Sequence, residues 1–471
     1  MDISLLKLEL ILSGLIGLIF VLDLLSGSKK IVRYAAVAGS LGVFIASLFI
    51  RQTGDAFAGA FISDGLSLIF KSLFLLNAFI VSMLSLGFLE KNGRYTGEYF
   101  TLIFSSTLGM LLLASSGELI TFYIALELLS ISSYVLSAFQ KSEQKSSEAG
   151  MKYMLLGALA SGMLLFGMSL VFGATGSLKF SGIAASLSSG SVPPIAYAGI
   201  VLIVVAMSFK IAAVPFHMWV PDVYEGAPSP VAAFFSVGTK MAGFAVLMRL
   251  FLTAFGNLRS EWGILMAVLS AATIIIGNLL AIPQTNIKRF MGYSSIAQAG
   301  FVLIGLAMAT VTGLASSVFY LAGYLFANLT AFGVIIIVGS RVEGDNIDDY
   351  SGLAKRSPFL SLALLISLMS LGGVPPLVGF FGKLYIFVGA FENGFAWLVA
   401  LGVLMSVVSI YYYLMVLKRV YIVPSPDTSP IKLTFWEKAS LSICLAGTLG
   451  FGLLPLPLFN EILSSVRIFL Q

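Results

Sequence analysis

Four lysines stand inside long apolar runs: Lys71, Lys210, Lys240 and Lys383. A lysine in hydrocarbon costs roughly 2.5–3.5 kcal/mol on insertion scales, and such a residue marks a functional site by default. Lysine changes protonation readily when buried, whereas arginine does not. The pattern places no arginine inside, so the set reads as proton-handling groups rather than fixed ion pairs. Glu127 has seven residues before it and twelve after in ITFYIALELLSISSYVLSAF, with no basic residue in its own run. It is the acid to pair with a lysine, and Glu127 with Lys210 forms the expected unit, Lys240 the connector and Lys383 the exit group. For each of these the competing reading is packing: a neutral, hydrogen-bonded carboxyl, or a lysine capping freed carbonyls. Lys71 is shallower, and its stem could reach the interface. His217, the one histidine, is either a proton relay, with an unperturbed pKa near 6.5, or a polar lining residue.

These residues need elements that break. Lys210 precedes Pro215 by about one turn, and proline inside a helix frees a carbonyl, here that of Ile211. Lys383 follows Pro375 and Pro376 by about two turns. Interrupted helices are the device by which transporters expose backbone to a polar cavity.

Composition sets the surroundings. The chain has 471 residues, 58% apolar and 10% charged, which describes an all-α polytopic membrane protein. The net charge of +5 follows from loop asymmetry and does not point to nucleic acid. One cysteine, Cys444, excludes a disulfide framework and a cysteine-ligated iron–sulfur cluster. One histidine supplies neither a bis-histidine haem nor a metal site. No Gly-rich nucleotide motif stands between a strand and a helix.

At about 20 residues per crossing, spans fall near 5–27, 33–50, 63–89, 98–116, 118–139, 149–173, 195–226, 229–256, 262–282, 291–310, 313–340, 358–391, 394–422 and 434–457, about fourteen in all. The seventh and twelfth are the broken ones. With both termini on the extracytoplasmic side, seventeen basic residues, Lys152 among them, lie on the cytoplasmic side and six opposite, Arg249 being one of the six. Glu9 and Asp23 lie near the ends of the first span, and Asp64 begins the third. The loop GSRVEGDNIDDYSGLAKRSP carries Asp345, Asp348 and Asp349 as a solvated surface. SFKIAAVPFHMWVPDVY and SLGGVPPLVGFFGKLYIF each join a break to a lysine in opposite order, as an inverted repeat would. The division is then residues 1–97 (three helices), 98–256 (first repeat), 262–422 (second, inverted repeat) and 434–471 (last helix).

FKIAAVPFHMWVPDVYEGAPSPVAAFFSVGTK (209–240), TNIKRFMGYSSIAQAGF (285–301) and SLGGVPPLVGFFGKLYIF (370–387) resemble the antiporter-like membrane subunits of proton-pumping NADH:quinone oxidoreductase, respiratory complex I. VPDVYEGAP is closest to the subunit N branch, the counterpart of mitochondrial subunit 2. The resemblance implies a proton-transfer axis of Glu127, Lys210, Lys240 and Lys383. Relatives often place a histidine in the SSI-x-x-x-G segment; Gln298 stands there in this chain and cannot titrate, so a relay would use water held by the amide. Lys152 is a further relay or lining candidate.

The resemblance also implies a non-redox, ion-translocating subunit of an oxidoreductase in a bacterial-type inner (cell) membrane. It implies no cofactor in this chain. Flavin, iron–sulfur clusters and quinone belong to partners: membrane subunits of M, L, K, J, A and H type and, indirectly, the peripheral redox arm. The alternative is a subunit of a multi-subunit sodium/proton antiporter, which shares the Glu/Lys set. A passive scaffold fits the composition but not four intramembrane lysines.

Overall fold

The computed structural model describes residues 3–91, 93–188, 192–342, 344–425, 427 and 429–467. Apolar runs that must satisfy every backbone group internally fold as helices. In chain order these are α1 (Lys7–Leu25), α2 (Lys29–Phe49), α3 (Gly65–Lys91), α4 (Thr96–Ala114), α5 (Leu119–Ser137), α6 (Gln144–Thr175), α7 (Phe180–Ser188), α8 (Pro194–Ile211), α9 (Trp219–Gly226), α10 (Ser229–Phe234), α11 (Lys240–Thr253), α12 (Arg259–Ala281), α13 (Ile287–Ala307), α14 (Val311–Val342), α15 (Leu353–Arg356), α16 (Pro358–Gly372), α17 (Val378–Glu392), α18 (Ala396–Tyr421), α19 (Phe435–Leu453) and α20 (Pro455–Arg467). Each expected span contains helix. Among the described residues, twelve helical segments are long and apolar enough to cross a membrane, and the bent pair α19–α20 makes a thirteenth if it is one span. α16 and α17, each of 15 residues, are too short to cross singly. The chain is a multi-pass integral membrane protein.

The core lies around α14 and the α10–α11 segment, which are enclosed on all sides, while α1, α6 and α18 leave most of their residues uncovered. Leu155, Phe166 and Val407 point outward, as suits helices that meet lipid or other subunits. α6 and α8 cross where Gly167 meets Gly199. A Cβ at Gly167 would stand 2.7 Å from the Gly199 carbonyl oxygen, so the close approach needs glycine.

Both long segments are interrupted. α8 ends at Ile211, Ala212 takes a left-handed conformation (φ 64°), and the Val214–Pro215 peptide is cis before α9 begins. The indole of Trp219 donates to the carbonyl of Phe209 at 2.8 Å, so the acceptor capped there is Phe209, not the Ile211 carbonyl that the proline offset singles out. α16 ends at Gly372, Gly373 has φ 87°, and the Pro375–Pro376 peptide is cis before α17. A third irregularity has no sequence signature: Phe235–Thr239 form a π-helical turn between α10 and α11, placing Lys240 directly after it. Such turns recur at functional sites.

Three features depart from the sequence reading. A small hairpin pairs Gly54–Ala56 with Phe61–Ser63 before α3. α7 folds in a stretch read as a loop. The last span stops at Leu453, and α20 turns away by 86°. It is held by Phe459 against Tyr385 (ring centroids 4.3 Å apart) and by Glu461 with Arg51 at 2.9 Å. Residues beyond Arg467, assigned to the last helix, lie outside the described residues.

Candidate functional site

Lys210 sits in the last turn of α8, where unpaired carbonyls carry the negative end of the helix dipole. Its Nζ donates to Ser130 Oγ at 2.9 Å and lies 5.8 Å from the Tyr153 ring centroid. Ser130 is one turn beyond Glu127 on α5. The half-buried Glu127 accepts a 2.5 Å hydrogen bond from Ser161 Oγ of α6. The expected Glu127–Lys210 unit is therefore not a contact pair: Ser130 stands at the lysine, and no carboxylate lies within 4 Å of Lys210 among the described residues. A small, mainly apolar cleft beside them brings Ser130, Tyr134, Ser161 and Lys210 together.

Lys240 is buried in the middle of the bundle and donates to Ser295 Oγ at 2.6 Å. Ser295 belongs to the SSIAQAG segment of α13, so two separately read motifs meet at one bond. Lys383 reaches back across the second break and donates to the carbonyls of Leu371 (3.1 Å) and Gly372 (3.2 Å), the last of α16. Its Nζ also lies 4.4 Å from the Phe301 ring centroid, a favourable cation–π distance. Both broken helices thus place a lysine at the carbonyl end of their first half, the arrangement by which half-helices solvate cations.

Gln298 is buried on α13 with its amide occupied. Nε2 donates to the Leu371 carbonyl (3.1 Å) and Tyr413 Oη (3.2 Å), and Oε1 accepts from Tyr320. Both amide hydrogens are thus held by groups of the chain itself. His217 is buried in the first break, and its Nδ1 has no hydrogen-bond partner among the described residues.

Lys152 stands apart from the axis. Its partly exposed ammonium lies 2.7 Å from Asp222 and 2.8 Å from Glu148. Asp222 also meets Arg289 at 2.6 Å, and Glu225 meets Arg289 (3.0 Å) and Lys145 (2.9 Å). The acids of VPDVYEGAP therefore tie α6, α9 and α13 together in one charge network. The loop acids find partners within the chain as well: Asp345 with Lys288 (2.8 Å), Asp348 with Arg419 (3.0 Å), and Asp349 in a capping box with Asn346.

Two assignments are corrected. Lys71 does not reach an interface: it is buried beside Glu9 at 2.8 Å, with Phe61 on its other side (4.7 Å to the ring centroid). Nor is the interior free of arginine. Arg249 is 1% exposed, donates from Nε to the Ala114 carbonyl (2.9 Å) and pairs with Asp64 at 2.8 Å. Glu9 lies on α1 and Asp64 just before α3, each far along the chain from the base it meets, so the charge pattern along the helices of Lys71 and Arg249 gave no sign of them. Among the described residues, no group of three or more His, Cys, Asp or Glu is placed to hold a metal ion.

The fold and these breaks define a class that comparison identifies. Residues 116–409 match the family described as the transmembrane part of NADH:quinone oxidoreductase and Mrp antiporter subunits. The chain belongs to that family. It is 41% identical, over 99% of both chains, to NADH-quinone oxidoreductase subunit N of Moorella thermoacetica. Among solved structures it is similar to a chain of respiratory complex I from Thermus thermophilus with bound aureothin (33% identity, 96% of this chain and 99% of that one, TM-score 0.83). It also shares its fold with a chain of the Mrp complex from a Dietzia species (22% identity, 100% of this chain and 98% of that one, TM-score 0.86).

Proposed function

We propose that this chain is the non-redox, proton-translocating membrane subunit of an NADH:quinone oxidoreductase, of the subunit N type. The observation that carries this reading is the solvation of Lys210, Lys240 and Lys383. Each is buried and each is held by hydroxyls or carbonyls, with no carboxylate within 4 Å among the described residues. A permanently charged ammonium without a counter-ion is expensive in such a place. The arrangement suits a group that takes up and gives up a proton. A change of charge at Glu127 acts on Lys210 across Ser130 through a medium of low dielectric, and the proton moves on by Lys240 to Lys383. His217 lines the path at the first break.

In this reading the α16–α17 pair crosses the membrane as one broken span, completing fourteen. Helices α4–α11 and α12–α18 form two inverted repeats, and both termini lie on the extracytoplasmic side of a bacterial-type inner membrane. Electrons, flavin, iron–sulfur clusters and quinone stay with partner subunits. The uncovered faces of α6 and α18 suit contact with neighbouring membrane subunits. The antiporter reading keeps a place because the family includes Mrp subunits and the fold is shared with one. Gentle extraction and identification of what co-purifies separates the two. Flavin- and iron–sulfur-containing partners support the oxidoreductase, whereas a set of membrane subunits with sodium-dependent proton exchange and no redox partner replaces it.

A further inference from the structure

The link between Lys240 and Lys383 passes a residue that cannot titrate. Both amide hydrogens of Gln298 are spent, on the Leu371 carbonyl and on Tyr413 Oη, and its oxygen faces the Tyr320 hydroxyl. The carbonyl of Leu371 is acceptor-only, so it fixes which end of the amide is nitrogen. Tyr413 Oη receives one hydrogen from Gln298 and lies 2.6 Å from Ser294 Oγ. Between Tyr413 Oη and Ser294 Oγ either oxygen can be the donor, so this bond can carry its hydrogen in either sense. Ser294 is the chain neighbour of Ser295, which holds Lys240. On the other side, Lys383 donates to the same Leu371 carbonyl that Gln298 uses. The Tyr413 ring is fixed edge-on to Phe290 (5.9 Å) and Tyr412 (4.6 Å), and all of these groups are buried.

We propose that Tyr413 is the proton-carrying group between Lys240 and Lys383, and that Gln298 is a positioning residue that orients its hydroxyl. The inference rests on the lysine relay above. In each passage a proton adds at Tyr413 Oη from one side while the tyrosine's own hydrogen leaves to the other, Ser294 Oγ being one of the two. The O–H bond broken is replaced by the one formed, the tyrosine ends unchanged, and water carries the proton across the remaining gaps to the lysines. Lys383 and Gln298 share the Leu371 carbonyl as acceptor, so a change of charge at Lys383 bears directly on the amide that holds Tyr413.

The test uses the intact complex reconstituted in vesicles, with protons moved per electron as the readout. Tyr413→Phe keeps the ring and removes the hydroxyl; it should assemble and slow coupled pumping at least about tenfold, the low end of what a positioned proton carrier contributes. Gln298→Leu should cause a smaller, several-fold loss. Gln298→His should restore pumping and give it a new pH dependence centred near the histidine value of about 6.5, which a merely structural role would not produce. Wild-type pumping by Tyr413→Phe, alongside a Lys383→Ala variant that does not pump, overturns the proposal and leaves the lysine relay standing. Wild-type pumping by Lys383→Ala overturns both. Should Tyr413→Phe fail to assemble, Ser294→Ala, which removes the hydroxyl partner, decides: slowed pumping supports the proposal, and unchanged pumping overturns it.

Discussion

At the α1–α3 contact, Lys71 lies 2.8 Å from Glu9, and nearby Arg249 lies 2.8 Å from Asp64. Along α8, α11 and α17, by contrast, Lys210, Lys240 and Lys383 meet Ser130, Ser295 and the last carbonyls of α16. Both regions bury basic side chains at similar depth in the protein, and they treat them in opposite ways. A carboxylate in contact fixes the charge of its partner and makes the pair a structural joint. A hydroxyl or carbonyl solvates an ammonium but accepts its neutral form as well. On the proposed reading, burial alone does not distinguish a working lysine from a structural one; the chemistry of its nearest oxygen does.

Four single substitutions and one double variant follow from that distinction. The largest effect is expected from Lys210→Ala. The complex should assemble with little loss of stability, because an unpaired buried ammonium is removed, while coupled pumping falls by about a hundredfold. Unchanged proton-to-electron stoichiometry in vesicles would break the comparison. Lys71→Ala should do the reverse. It leaves Glu9 buried and alone, at a cost of about 3–5 kcal/mol, read as a lower unfolding midpoint and poor assembly, with normal pumping per electron in whatever assembles. Glu9→Leu added to Lys71→Met should recover that stability. Glu127→Gln should lower the coupled rate several-fold, as expected for one charge acting across a hydroxyl at an effective dielectric of about 20; wild-type rates would remove it from control of Lys210. Asp348→Asn, on the exposed side of its pair with Arg419, should change stability by less than about 0.5 kcal/mol in a thermal melt.

What could be read along the chain, and what could not, divides by range. A lysine in an apolar run is a local anomaly, and so is a proline in a helix; Lys210, Lys240, Lys383 and both breaks were legible for that reason. Partners are not local. The Arg249–Asp64 contact spans 185 residues, so an arginine near the end of its run read as a loop cation. Gln298 meets the Leu371 carbonyl from 73 residues away, and no spacing rule foresees a shared backbone acceptor. Glu127 and Lys210 read as one unit, and the serine that stands at the lysine, Ser130, is one that composition leaves unmarked. The π turn before Lys240 has no sequence signal, because Phe, Ser, Val, Gly and Thr occur as readily along regular membrane helices. The bend after Leu453 was missed because apolar residues continue beyond it.

The network at Asp222 and Glu225 has a mechanical consequence. Six charged side chains from α6, α9 and α13 are clamped at one rim, with α9 between the other two. Any motion that rocked α6 against α13 would have to pull that clamp apart. The network resists rocking of α6 against α13 at this end, and on the proposed reading it favours small strokes, rotations of hydroxyls and swings of lysine stems, over a large hinge movement.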